Sequence, residues 1–118
     1  MRLRSATAQS RGSTISFVRV TYVVPRDGQV ERVRVQLKKL SDYYATQPGY
    51  IEGYLLLPHP EASPPALGRF GVWDNDRSAE DAAQTEHAMA LRSEMLRLID
   101  EDSHLEYTFI GEADPKAK

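Results

Sequence analysis

Between Ile15 and Val24 the chain alternates. Val18, Val20, Tyr22 and Val24 fall on one face of an extended segment, and Phe17, Arg19, Thr21 and Val23 on the other, which predicts a strand over 15–24. Pro25-Arg26-Asp27-Gly28 ends it, because proline removes a ladder donor and glycine relieves a tight turn. The period then changes. Val30, Val33, Leu37, Leu40 and Tyr44 recur at steps of three and four, predicting a helix over 29–46 with Arg34, Lys38 and Lys39 away from its apolar stripe. Gln47-Pro48-Gly49 stops that helix, since glycine accepts the left-handed cap and proline disfavours helix in the residue before it. A second strand is expected over 50–57 and a short third one over 69–74, with Gly71 and Trp73 on one side and Phe70 and Val72 on the other. The segment between them holds four of the seven prolines, so 58–68 is expected as an exposed excursion. Ser78 is the expected N-cap of a second helical region, with Glu80 and Asp81 in its first turn. Its apolar stripe drifts near His87, which predicts a kink or two abutting helices. Leu105, Tyr107 and Phe109 alternate with Glu106, Thr108 and Ile110 as a last strand.

The order strand, helix, strand, strand, helix, strand is the split β-α-β pattern of the ferredoxin-like architecture, an α+β fold with an antiparallel sheet and both helices on one face. One domain is expected over residues 15–110, between a flexible tail at 1–14 and a C-terminal tail at 111–118. Several strands carry apolar residues on both faces. A sheet covered by helices on one side only then needs something on the other, and a second copy of the chain is the expected partner.

Composition narrows the chemistry. The chain has no cysteine, which excludes disulfides, thiolate zinc sites and thiol nucleophiles. A net charge of -2 and a pI near 5.9 argue against a general nucleic-acid binder. No apolar run approaches the roughly 20 residues that span a bilayer, and a cytoplasmic location with no membrane partner is the expectation. Charge is uneven: residues 1–40 carry +7 and residues 41–118 carry -9. Either a basic surface attracts an anion, or basic and acidic elements lie side by side in the fold. Met1–Thr14 is rich in Ser, Thr and Arg and has no acidic residue, a composition shared by flexible tails and organelle transit peptides. His59, His87 and His104 have no metal-ligand spacing, and no phosphate loop, nucleophile elbow or dinucleotide fingerprint is present.

Three segments resemble the dimeric α/β-barrel proteins of the antibiotic-biosynthesis-monooxygenase type: Val24-Pro25-Arg26-Asp27-Gly28, Gln47-Pro48-Gly49-Tyr50-Ile51-Glu52-Gly53-Tyr54, and Gly71-Val72-Trp73-Asp74 followed by an acidic helix start and a His. The resemblance covers roughly residues 15–110. It implies a homodimer whose sheets pack face to face, and a pocket in each subunit between sheet and helices. It also implies the activity of cofactor-independent oxygenases on aromatic polyketides or quinols, or of haem-degrading oxygenases. Trp73 matches the strand-three Trp of these enzymes, and Thr21 stands where they carry an Asn. The haem-ligating His of the haem-degrading members would fall near Ala83 or Gln84, so haem is not expected to bind in that manner and no cofactor is assigned.

The candidate catalytic residues are therefore Trp73, His87, Arg19 and Thr21. Trp73 would position a flat substrate by contact with the indole, or serve as core. His87 would act as base, its ordinary pKa lying near neutrality, or sit on the helix surface. Arg19, a charge amid valines, would hold an anionic group beside Trp73 with a cation–π contact, or pair with a strand carboxylate such as Glu52 or Glu106. Among the tyrosines around the helix-to-strand segment, Tyr44 and Tyr54 are the candidates for substrate binding. Two functions follow: a cofactor-independent monooxygenase acting on a small aromatic substrate, or a dimeric ligand-binding or stress-associated domain without turnover.

Overall fold

The alternating segment read at Ile15 becomes the central strand of a four-stranded antiparallel sheet. The computed structural model describes residues 15–114, so the expected tail at 1–14 and residues 115–118 lie outside the described residues. The elements are β1 (Ile15–Val23), α1 (Val30–Tyr44), β2 (Tyr50–Leu56), β3 (Leu67–Trp73), α2 (Asp76–Ala83), α3 (Glu86–Leu96) and β4 (Leu105–Glu112), with a 3-10 turn at Glu101–Ser103. The sheet order is β2-β3-β1-β4. This is the α+β ferredoxin-like arrangement expected from the element order. Phe17 stands opposite Trp73 and Val23 opposite Leu67 on one side of β1, and Thr21 stands opposite Glu106 on the other.

Several boundaries move, each for a local reason. β3 starts at Leu67, two residues before the expected start, because Leu67 pairs with Val23 and is buried. Gly68 beside it lies so close to the Thr21 carbonyl that a Cβ there would collide with it. β4 runs to Glu112, which pairs with Ile15, so residues 111 and 112 belong to the sheet and not to a tail. The second helical region divides at Gln84-Thr85 into α2 and α3. The N-cap of α2 is Asn75, whose side chain accepts the Ser78 N–H at 2.8 Å; Ser78 itself lies inside the helix. Thr85 caps α3 by accepting the Ala88 N–H at 3.2 Å. Gly49 has φ of +86°, and its carbonyl accepts the Asp74 N–H at 2.7 Å, which ties the helix-to-strand turn to the end of β3. The turn requires glycine there, since that φ strains any L side chain and a Cβ would run into Ser78.

Odd-numbered residues of β1 and β3 face the helices. Two clusters fill that layer. Val23, Val33, Leu37, Leu67, Met95 and Ile99 form an aliphatic one, and Leu40, Tyr44, Trp73, Ala79, Ala82 and Ala88 form an aromatic and small-residue one. The opposite face of the sheet has no element over it among the described residues. It presents Tyr22, Tyr54, Leu56, Leu105, Tyr107 and Phe109, between 39% and 60% exposed.

Candidate functional site

Strand parity delivers the site. On the helix side, β1 presents Arg19 and Thr21, β3 presents Arg69, Gly71 and Trp73, and β4 presents Glu106. Arg19 stands opposite Gly71, and Thr21 stands between Arg69 and Glu106. With Leu37, Leu40 and Tyr44 of α1, Ala79 and Ala83 of α2, and Arg92 and Met95 of α3, all of these but Gly71 line a cavity of about 40 Å³. Arg19, Ala83, Arg92 and Glu106 also line an open groove of about 510 Å³ that runs out past Glu80, Met89 and Leu96. The small chamber and the groove thus share one wall.

Trp73 is 2% exposed and is held by two edge-on tyrosines. Tyr44 lies at 5.9 Å and 73°, and Tyr50 at 5.2 Å and 88°. Both geometries are the favoured edge-to-face kind. Burial pushes the Tyr44 hydroxyl above its ordinary pKa, so it is a neutral donor near pH 7.

Three arginines line the chamber, and they differ in how their charge is met. Arg19 Nη2 donates to Glu80 Oε1 at 2.9 Å and to Asp76 Oδ1 at 3.2 Å. Partial burial opposes its charge, but the hydrogen bonds and charges of Glu80 and Asp76 outweigh this and raise its pKa. Arg92 Nη2 donates to Glu106 Oε2 at 2.7 Å. Arg69 is the exception. It is 5% exposed, its Nε donates to Ser41 Oγ at 2.9 Å, and its guanidinium carbon lies 4.8 Å from the centre of the Tyr44 ring. Its Nη2 has no acceptor among the described residues. Burial lowers its pKa below the ordinary arginine value, with Tyr50 and Tyr44 opposing the shift.

The structure thus brings Trp73, Arg19, Thr21 and Tyr44 to one cavity and leaves two sequence candidates out. His87 is exposed on the first turn of α3, where its ring lies 4.5 Å from Tyr43, and it does not line the chamber. Tyr54 is 60% exposed on the outer face of the sheet, against Phe70 at 6.1 Å. The cause is a bulge between Tyr50 and Glu52, which shifts the parity of β2 so that Tyr50 faces Trp73 and Tyr54 faces away. Two expectations for Arg19 are also corrected. Its carboxylate partners come from α2 and are neither Glu52 nor Glu106, and the cation–π contact in the chamber joins Arg69 to Tyr44, not Arg19 to Trp73. Arg69, Arg92 and Glu106 enter the site without having been singled out for it. The legible signal for Arg69 was its position two and four residues before Gly71 and Trp73, on the same face of the same strand. Among the described residues no group of three or more His, Asp and Glu side chains is placed to hold a metal ion, and no helix is long and apolar enough to cross a membrane.

No protein-family model matches the sequence, and no curated protein matches it. Solved structures do match the fold. The SnoaB cofactor-independent oxygenase of Streptomyces nogalater superposes with a TM-score of 0.71 at 12% identity, over 89% of this chain and 100% of that one. A Nitrosomonas europaea protein provisionally called an antibiotic biosynthesis monooxygenase gives 0.70 at 12% identity, over 89% and 95%. A conserved protein of Methanosarcina mazei gives 0.72 at 14% identity, over 81% and 92%. The chain therefore has the fold of antibiotic-biosynthesis-monooxygenase-like proteins, a group of structures that includes cofactor-independent oxygenases.

Proposed function

We propose that the chamber and its groove bind a small aromatic molecule of phenol or quinol type, and that the protein promotes its reaction with oxygen without a cofactor. The observation that carries this reading is the buried Trp73, set beside Thr21 and Arg69 at the floor of a cavity on an oxygenase-type fold. In such a reaction the substrate supplies all the electrons, R2CH2 + O2 giving R2C=O + H2O. The protein has to hold the ring, stabilise the substrate anion and keep water away. Trp73 and Tyr44, both nearly inaccessible, form the dry wall. The arginines supply positive potential for a developing oxyanion, and Thr21 offers a hydroxyl that can donate or accept. His87 is too far out to be the base; Glu106, the carboxylate lining both chamber and groove, takes that role. The test is oxygen uptake with a quinol or anthrone substrate. A rate at least about tenfold above the protein-free reaction, lost in Trp73→Ala, is expected. A rate equal to the protein-free one overturns the reading.

A second reading, a ligand-binding domain without turnover, is favoured by one observation: the inner chamber, at about 40 Å³, is too small for a ring. Stoichiometric binding with no oxygen uptake selects it. In both readings we assign the outer face of the sheet to a second copy of the chain. That face carries Tyr22, Tyr107 and Phe109, each 40% or more exposed, in a contiguous apolar surface of the kind that marks an interface. Sedimentation should give a dimer at low micromolar concentration and a monomer for Phe109→Asp. A monomeric wild type removes this assignment.

A further inference from the structure

We infer that the ligand of this pocket carries a carboxylate, and that Arg69 is the residue that grips it. The inference rests on the chamber being the ligand site and names the chemistry of what enters it. Its starting point is the charge balance of the chamber. Arg19 has two carboxylates and Arg92 has one, whereas Arg69, the most buried of the three, has a hydroxyl and an aromatic face. A guanidinium stays protonated in proteins, so its charge must be met in place. Taking it out of water with no carboxylate in contact is costly; Glu106 acts on it only from across Thr21, and an anion in contact would recover more of the cost.

The neighbourhood of Gly71 offers such an anion two nitrogen donors. Residue 71 is glycine, and the point its Cβ would occupy lies 3.6 Å from Arg69 Nη2 and 3.4 Å from Trp73 Nε1. Arg69 Nη2 and Trp73 Nε1 therefore lie together beside Gly71, which keeps a methyl group off both nitrogens. The two oxygens of a carboxylate match two such donors, and the bonds to it are charge-assisted. A neutral phenol offers one oxygen that must also place its own proton. Size agrees. About 40 Å³ admits a carboxylate group but no ring, so the ring stays in the outer groove beside Met89 and Leu96. Glu106 on the chamber wall repels a second negative charge, which favours a monoanion over a dianion such as phosphate. The ligand class is an aromatic monocarboxylic acid that enters head first.

Trp73 is the chain's one tryptophan and reports on this site by its own fluorescence. Phenylacetate, phenylacetamide and inorganic phosphate should be titrated against the full-length protein. The expected result is phenylacetate binding about tenfold or more tightly than the amide, with phosphate not competing. Arg69→Met should abolish the preference for the acid, and Arg69→Lys should keep part of it. Equal affinity for acid and amide in the wild type, no binding of the acid at millimolar concentration, tighter binding of phosphate, or a preference that survives in Arg69→Met would each overturn the inference. The wild-type comparison needs no variant to fold. The inference and the oxygenase reading fail separately. Oxygen uptake with a neutral quinol and no preference for the acid sinks only the first, and a preference for the acid without oxygen uptake sinks only the second.

Discussion

The helix–sheet layer has two ends built from the same strands and the same helix, and they are made of different material. At the Val23–Leu67 end, Leu37, Met95 and Ile99 close an aliphatic core with every member 2% exposed or less. At the Phe17–Trp73 end, the same α1 contributes Leu40 and Tyr44, and the floor is Arg69, Gly71 and Trp73 under alanines of α2 and α3. One end is filled and the other is left with a chamber, a glycine and an unmet guanidinium N–H. The difference teaches how a domain of this size separates its tasks. Stability is concentrated where branched aliphatics interlock, which leaves the other end of the strands free to carry groups that cost stability, the groups to which the proposed function gives ligand binding.

The first way to break this comparison is to truncate each end. Ile99→Ala removes a fully buried side chain from the aliphatic end and should cost about 2–5 kcal/mol of unfolding free energy, read by urea melts. Trp73→Phe at the other end keeps an apolar ring against Tyr44 and Tyr50 and should cost roughly 1–2 kcal/mol while leaving the proposed dimer intact. A larger loss for Trp73→Phe than for Ile99→Ala would mean that the chamber end is the structural core.

Arg69→Met sharpens the contrast. Replacing a buried charge that lacks a counter-ion with an apolar side chain of similar length is often neutral or stabilising, so stability should stay within about 1 kcal/mol of wild type or rise. A loss of more than about 2 kcal/mol would assign Arg69 to the scaffold, its bond to Ser41 being the part that mattered.

The two ends also differ in how far the sequence disclosed them. The aliphatic end is periodic: Val33 and Leu37 follow the helical stripe and Val23 the strand alternation, so local spacing reveals them. Trp73 and Tyr44 were legible for the same reason, and Gly49 through its turn chemistry. The partners of the charges were not. Arg19 meets Asp76 and Glu80, 57 and 61 residues on, and Arg69 meets Ser41, 28 residues back, through the packing of helices on the sheet, which no local pattern encodes. Glu52, offered as a partner for Arg19, sits on the outer face because of the β2 bulge, and the same single-residue slip carried Tyr54 out of the pocket. His87 had the right chemistry, but the break at Gln84-Thr85 starts a new helix and leaves it at the surface, against Tyr43.

The smallest expected effect lies at the mouth of the polar end. The hydrogen bond from Arg19, helped by one from Gln84, holds the Glu80 carboxyl below its ordinary pKa. A carboxylate whose pKa is lower folded than unfolded adds stability above the unfolded value, and that stability is lost as pH falls through the folded one. The Glu80 side chain is 49% exposed, so solvent screens the pair and its worth is a few tenths of a kcal/mol at most. Wild type should therefore lose slightly more stability than Glu80→Gln between about pH 6 and pH 3, and the gap should close in about 1 M salt. Melting both proteins across that range checks it. If the variant has the steeper acid limb, Glu80 is not the group that compensates Arg19, and Asp76 alone holds the arginine in place at the mouth of the chamber.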